Sequence, residues 1–169
     1  MLVYLKESDQ LSLQGYVDPD FASTEERKSI SGYAFFIGGA LVSYCSVRQK
    51  SVSTSTAEVE YVALCEATKE AIWLRLLLSE LGYFQTGPTT LHEDNQSCIS
   101  MNREDVHHSR TKHIDVKYHF TREQIELNKI LVKYISTTDQ VANIFTKQQD
   151  KARFELDCKR LGLVLHPTT

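Results

Sequence analysis

A chain of 169 residues that is 41% apolar and 24% charged has the bulk for one globular domain with a sizeable core, which excludes a disordered or fibrous protein. Its formal net charge of −3 argues against holding nucleic acid by bulk electrostatics, while leaving room for binding through divalent ions and a local basic face. The longest apolar run, AIWLRLLL at 71–78, is broken by charge and too short to span a bilayer, and MLVYLKES carries no signal-peptide pattern, so a soluble protein with no membrane partner is expected.

In chain order, three strand-like runs come first: LSLQGYVD at 11–18, SGYAFFIG at 31–38 and LVSYCS at 41–46, the last two joined at Gly38-Gly39 by a hairpin signal. A long helical pattern follows over 56–81, then a short strand TTLHED at 89–94, more helix, a strand ILVKYIS at 130–136 and a helical tail. No repeat or linker divides the chain, so 1–169 reads as a single domain with its core at about 11–163. An antiparallel meander followed by alternating helices and strands predicts an α/β domain, a mixed sheet covered by helices.

Cys45, Cys65, Cys98 and Cys158 are scattered and form no C-x-x-C pair, which points to reduced thiols rather than a zinc ribbon or a disulfide scaffold. His107, His108, His113 and His119 lie close in sequence but lack cysteine partners and an i,i+4 pair, so structural zinc is a minor expectation.

Carboxylates at structurally expensive positions carry the chemistry. Asp18 ends the first strand in GYVDPDFA, where Asp and Pro also suit a simple turn. In the long helix Ser55 and Glu58 form an S-x-x-E capping box, which gives Glu58 a structural role. Glu60 has no such explanation: steps of four and three from it reach Leu64, Ala67, Ala71, Leu74, Leu78 and Leu81, the apolar stripe, before Gly82 stops the helix. A core-facing carboxylate must be neutral, paired or bound to a cation. Asp94 closes TTLHED, at the carboxyl end of a strand where α/β folds collect ligands, although an N-cap of the next helix is an equal reading. Oxygen-rich clusters of this kind suit Mg²⁺ or Mn²⁺ and phosphate esters.

GYVDPDFAS, RKSISGYAFFIGG, STAEVEYVALCEATKEAIWLRLLL, EDNQSCI, HSRTKHIDVKYHFTREQI and STTDQVANIFTK resemble, in that order, the ribonuclease H domain of copia-type retrotransposon Pol polyproteins. The resemblance covers about Leu11 to Leu163 and implies the ribonuclease H-like fold: a five-stranded mixed sheet, its first three strands antiparallel, with helices on both faces. It implies Asp18, Glu60 and Asp94 as catalytic metal ligands, with Asp20 near the site rather than a principal ligand. Where the family commonly reads D-Q-x-A-D-I-x-T-K, this chain reads DQVANIFTK, so Asn143 stands at the fourth catalytic position. By helical phase Asn143 sits with Gln140 and Lys147, opposite Val141 and Phe145, which reads as a solvated surface. Its amide oxygen can still accept a hydrogen bond from metal-bound water. Asp139 is an alternative acid, more simply read as part of a cap.

The resemblance further implies cleavage of the RNA strand of RNA–DNA hybrids with two Mg²⁺ ions, Mn²⁺ substituting, about 3.5–4 Å apart. The RNA strand would be told by its shape and 2′-hydroxyls. It implies a reverse transcriptase polymerase domain as partner and a cytoplasmic, virus-like-particle or nuclear setting. Substrate contacts are expected from Asn95 and Gln96, from the flank grouping Arg110, His113 and Lys117, and from Arg48 and Lys50 before the long helix. In the 107–127 segment two opposite apolar stripes compete: Ile114, Tyr118 and Ile125 against Val116, Phe120 and Leu127. Trp73, Phe35 and Phe36 read as core rather than base-stacking residues. Three rivals remain: a non-catalytic tether of a reverse transcriptase, favoured only by Asn143; an integrase or other nuclease on the same fold; and a zinc-binding interaction module.

Overall fold

The computed structural model describes residues 11–21, 28–50, 55–101 and 112–163, with the side chains at 101 and 112–116 outside that description. Strand β1 (Leu13–Asp20) runs straight through Asp18 and Pro19, so the Asp-Pro pair makes no turn. Its parallel pairing with β4 covers only Gln14 to Tyr16, and the proline, which lacks an N–H, falls beyond that ladder. β2 (Ile30–Ile37) and β3 (Ala40–Arg48) continue the antiparallel meander. Gly38 and Gly39 join them with φ of +57° and +83°, the left-handed pair that suits a two-residue hairpin.

After helix α1 (Thr56–Glu80) come β4 (Thr89–Glu93), α2 (Gln96–Met101), α3 (Lys112–Glu126), β5 (Ile130–Tyr134), a 3-10 segment (Val141–Phe145) and α4 (Lys151–Arg160). The sheet order is β3-β2-β1-β4-β5, with β1, β4 and β5 parallel. This is the expected five-stranded mixed sheet with an antiparallel first half.

Strand alternation distributes the core over both faces. Val17, Phe35 and Leu91 pack with Leu64, Ala67 and Leu74 of α1 and Tyr118 of α3. On the other face Ala34, Phe36 and Leu41 meet Val141 and Leu161. Phe35 and Phe36, neighbours in β2, thus serve opposite layers as core residues, each burial stabilising by about 2–3 kcal/mol.

Ser55 caps α1, its Oγ accepting from the Glu58 N–H at 3.2 Å, and Gly82 follows the helix with φ +86°. The first half of α1 is buried nearly all round because α3 covers its outer side, with the Tyr61 and Tyr118 rings stacked at 5.1 Å. The second half buries only Ala71, Leu74 and Leu78. Trp73 lies about 100° around the helix from Leu74 and is 55% exposed, which corrects its assignment to the core. On α3 the competing stripes are resolved: Tyr118 is buried and Ile125 packs against the core, whereas Leu127 is exposed.

The tail departs from expectation at Asn143. A continuous α-helix would turn Asn143 toward solvent, but a 3-10 segment forms instead, with Asn143 N–H to Gln140 O at 3.4 Å and Thr146 N–H to Asn143 O at 3.2 Å. A period of three stacks residues 140, 143 and 146 on one side, and Gln140, Asn143 and Thr146 are all buried. Gly32 permits this approach, since a Cβ there would lie 2.6 Å from Thr146 Cγ2 and 3.3 Å from the Ala142 oxygen.

Candidate active site

Parallel β1 and β4 deliver acids to one end of the sheet, and α1 brings a third from above. Glu60, Glu93 and Asp94 each offer a carboxylate oxygen within 4.8 Å of the others. Asp94 is not an N-cap: Asn95 takes that role, its Oδ1 accepting from the Cys98 N–H at 3.1 Å, so the carboxylate of Asp94 is left for other work. The Asn95 Nδ2 donates to Glu60 Oε1 at 3.3 Å, and its backbone N–H donates to Glu93 Oε1 at 3.1 Å. Both polar ends of the Asn95 side chain are therefore used within the protein, while Gln96 is exposed at the start of α2.

Asp18 belongs to the other face of β1 and stands outside that close trio. It is 1% exposed; one oxygen accepts from Thr146 Oγ1 and the other from Lys147 Nζ at 2.8 Å. Lys147 also donates to Asn143 Oδ1 at 3.0 Å, and Asn143 Nδ2 donates to the Thr137 oxygen at 3.1 Å. The fourth position is thus tied to Asp18 through one ammonium. Asp139, the alternative acid, pairs with Arg160 at 3.2 Å and lines a separate cleft with Gln14 and Tyr16. Asp20 is half-buried at the end of β1.

The electrostatics follow from crowding acids in a desolvated corner. Burial, with the Asp18 and Asp94 charges adding to it against the Asn95 hydrogen bond, pushes Glu60 up to about 7. Burial and the Glu60 charge raise Glu93 well above the carboxylate range. Burial also raises Asp18, outweighing the pull of Lys147. A carboxyl raised in the folded state favours folding most while the unfolded chain has yet to ionise, and that contribution fades as pH climbs to the folded value. The metal-free chain is therefore expected to lose thermal stability between about pH 4.5 and about pH 7. Melting curves in chelator across that range check it; a midpoint rising with pH would contradict it.

Three of the expected basic residues come together. Arg48, Lys50 and Lys117 line one cleft of about 460 Å³ with Gln49, Val62 and Glu66, between β2–β3 and the helices α1 and α3. Gln49 is buried and anchors this wall, donating to Ser31 Oγ at 2.8 Å and to the Val59 oxygen at 3.1 Å. Arg110 and the His113 side chain lie outside the described residues, as do His107 and His108.

Sequence reasoning missed Glu93, Thr146, Lys147 and Gln140. For Glu93 a signal existed, because period-2 alternation in TTLHED puts it on the inward side with Thr89 and Leu91. Gln140 gave none. It is wholly buried, and its Nε2 donates to the Val17 oxygen of β1 at 2.8 Å and the His92 oxygen of β4 at 3.2 Å, fastening the two strands beside their acids.

No family model matches the chain. Among solved structures it is similar to the N-terminal RNase H domain of a Mycobacterium tuberculosis protein, with TM-score 0.58 and 10% identity over 88% of this chain and 97% of that one. It is also similar to LC11-RNase H1 in complex with an RNA/DNA hybrid, with TM-score 0.54 and 12% identity over 76% and 88% of the two chains. These likenesses define the class: the chain has the ribonuclease H fold.

Sequence relatives narrow it. The chain is 43% identical over 150 residues, 88% of its length, to the retrovirus-related Pol polyprotein from transposon TNT 1-94 of Nicotiana tabacum. It is 34% identical over 166 residues to the corresponding polyprotein from transposon RE2 of Arabidopsis thaliana. It belongs with the ribonuclease H domains of retrotransposon Pol polyproteins, and it spans 11% of the length of those relatives.

Proposed function

We propose that the chain hydrolyses the RNA strand of RNA–DNA hybrids with divalent cations, Mg²⁺ or Mn²⁺, held at the end of β1 and β4. The observation that carries this reading is the meeting of Glu60 and Asp94 within 4.8 Å at the carboxyl end of β4, with the charge of Asp18 near enough to act on Glu60 and that of Asp94 on Asp18. The donor set fits hard cations: it is all oxygen, and the buried Oε2 atoms of Glu60 and Glu93 receive no donor from outside the acid cluster among the described residues. When bound, such cations supply an activated water and stabilise charge on the leaving 3′ oxygen.

The chain's own residues do the positioning. Asn95 orients the Glu60 carboxylate, and Thr146 and Lys147 fix Asp18. The cleft lined by Arg48, Lys50 and Lys117 supplies cationic groups for substrate phosphates at the flank of α1. In the parent polyprotein a reverse transcriptase polymerase domain would share the hybrid, acting in a virus-like particle in the cytoplasm or in the nucleus.

A second reading, a hybrid-binding tether with little turnover, is favoured by one feature: the Lys147 ammonium neutralises Asp18 where Asn143 offers only an amide. Asn143→Asp separates the two. It gives Lys147 a second carboxylate partner and puts an acid back at position 143, at the cost of the hydrogen bond to the Thr137 oxygen. The variant is expected to cleave a labelled hybrid about tenfold faster in Mg²⁺, equivalent to about 1.4 kcal/mol of barrier. Hybrid binding without cleavage by either chain, in Mg²⁺ or Mn²⁺, would select the tether.

A further inference from the structure

Glu93 occupies a position that strand alternation assigns to the core, beside Leu91 and under α1, and it is 0% exposed. An apolar residue would sit there without penalty, whereas a carboxyl must find partners. Outside the acid cluster it finds one for Oε1, which accepts from the Asn95 N–H. The two carboxyls of Glu60 and Glu93 hydrogen-bond one another, and with Asp94 within 4.8 Å they make a corner of carboxylate oxygens in which Oε2 of either glutamate receives no donor from outside the acid cluster among the described residues.

The spacing agrees. Oxygens bound to one octahedral ion at about 2.1 Å lie roughly 2.9 Å apart when adjacent and roughly 4.2 Å apart when opposite. The Glu60, Glu93 and Asp94 oxygens fall within 4.8 Å of one another, so small side-chain adjustments suffice. Asp18 is not in that set and is engaged by Thr146 and Lys147.

We propose that Glu93 is a direct ligand of the divalent cation, completing a Glu60–Glu93–Asp94 pocket and supplying from β4 the carboxylate that the chain lacks at Asn143. Asp18, Glu60, Glu93 and Asp94 then give the site four acids, as many as it would have with Asp at 143 and an uncharged residue at 93. The cation's centre of charge shifts toward α1, away from Lys147. This rests on the proposed metal-dependent function, yet it concerns cation affinity and is read without turnover.

The test is Mn²⁺ titration of the full chain, by calorimetry and by the electron paramagnetic resonance of free Mn²⁺, on the original protein, Glu93→Gln and the double variant Glu93→Gln with Asn143→Asp. Gln keeps the shape and the acceptor for the Asn95 N–H. Glu93→Gln is expected to weaken Mn²⁺ binding at least tenfold, with melting in chelator unchanged or raised, and the double variant to recover part of the affinity. Unchanged Mn²⁺ affinity in Glu93→Gln overturns the inference, and so does a lower melting point in chelator, which would make Glu93 a structural residue. If the original chain cleaves hybrid while Glu93→Gln binds Mn²⁺ normally, the nuclease reading stands and Glu93 falls. If Mn²⁺ binding depends on Glu93 but no hybrid is cleaved, Glu93 stands and the nuclease reading falls. An original chain that binds no Mn²⁺ overturns both.

Discussion

Asp94→Asn is expected to lower hybrid cleavage about 10³-fold or more, equivalent to about 4 kcal/mol of transition-state stabilisation, while leaving the fold intact. Asp94 follows β4 directly and has an oxygen within 4.8 Å of both Glu60 and Glu93, so removing its charge should weaken the proposed cation site. It does not cap α2, a role that Asn95 performs, so the substitution takes no hydrogen bond from the helix start. Single-turnover cleavage of a labelled hybrid in Mg²⁺ and Mn²⁺, beside circular dichroism and a melting curve, measures both effects. Cleavage within tenfold of the original would remove Asp94 from the machinery, and a large fall in melting temperature would mean that the residue holds structure instead.

Gln140→Ala is expected to carry the largest stability cost of any polar substitution near the site, about 3 kcal/mol. The side chain is wholly buried and makes three hydrogen bonds: Nε2 to the Val17 and His92 oxygens, and Oε1 from the Ala142 N–H at 3.3 Å. Each buried group left without a partner costs about 1–3 kcal/mol, partly relieved where water enters. For a chain of this size the midpoint should fall by roughly 6–12 °C. Because the two carbonyls belong to β1 and β4 just before Asp18 and Asp94, cation affinity should weaken as well. Thermal and urea melts with Mn²⁺ titration check this. A loss below about 0.5 kcal/mol would show that the strands hold their spacing without the glutamine.

Apolar strand-like runs bounded by turn signals located all five strands to within a few residues, because a short run between breakers has room for a strand and not for a long helix. Helical phase singled out Glu60 because one carboxylate headed an otherwise apolar stripe. The same reasoning failed for Trp73, where an apolar run was taken as buried although only part of the helix circumference meets the sheet. It failed for Asn143 because α-helical phase was applied to a segment that winds as a 3-10 turn, and a change of period from 3.6 to 3 moves a residue to another face within one turn.

The amino-acid order alone located the strands and the long helix, nominated Asp18, Glu60 and Asp94 as candidate acids, and carried the succession of motifs that relates the chain to retrotransposon ribonuclease H domains. Local periodicity and capping chemistry are written within a few residues of one another, so they can be read without a fold. Tertiary structure decided the rest. It alone assigned the cap of α2 to Asn95, tied Lys147 to Asp18 across 129 positions and Gln140 to Val17 across 123, and gathered the carboxyls of Glu60, Glu93 and Asp94 within 4.8 Å. Those relations depend on which surfaces meet when the sheet closes under α1 and the 3-10 segment. No local pattern encodes a distance between residues that far apart.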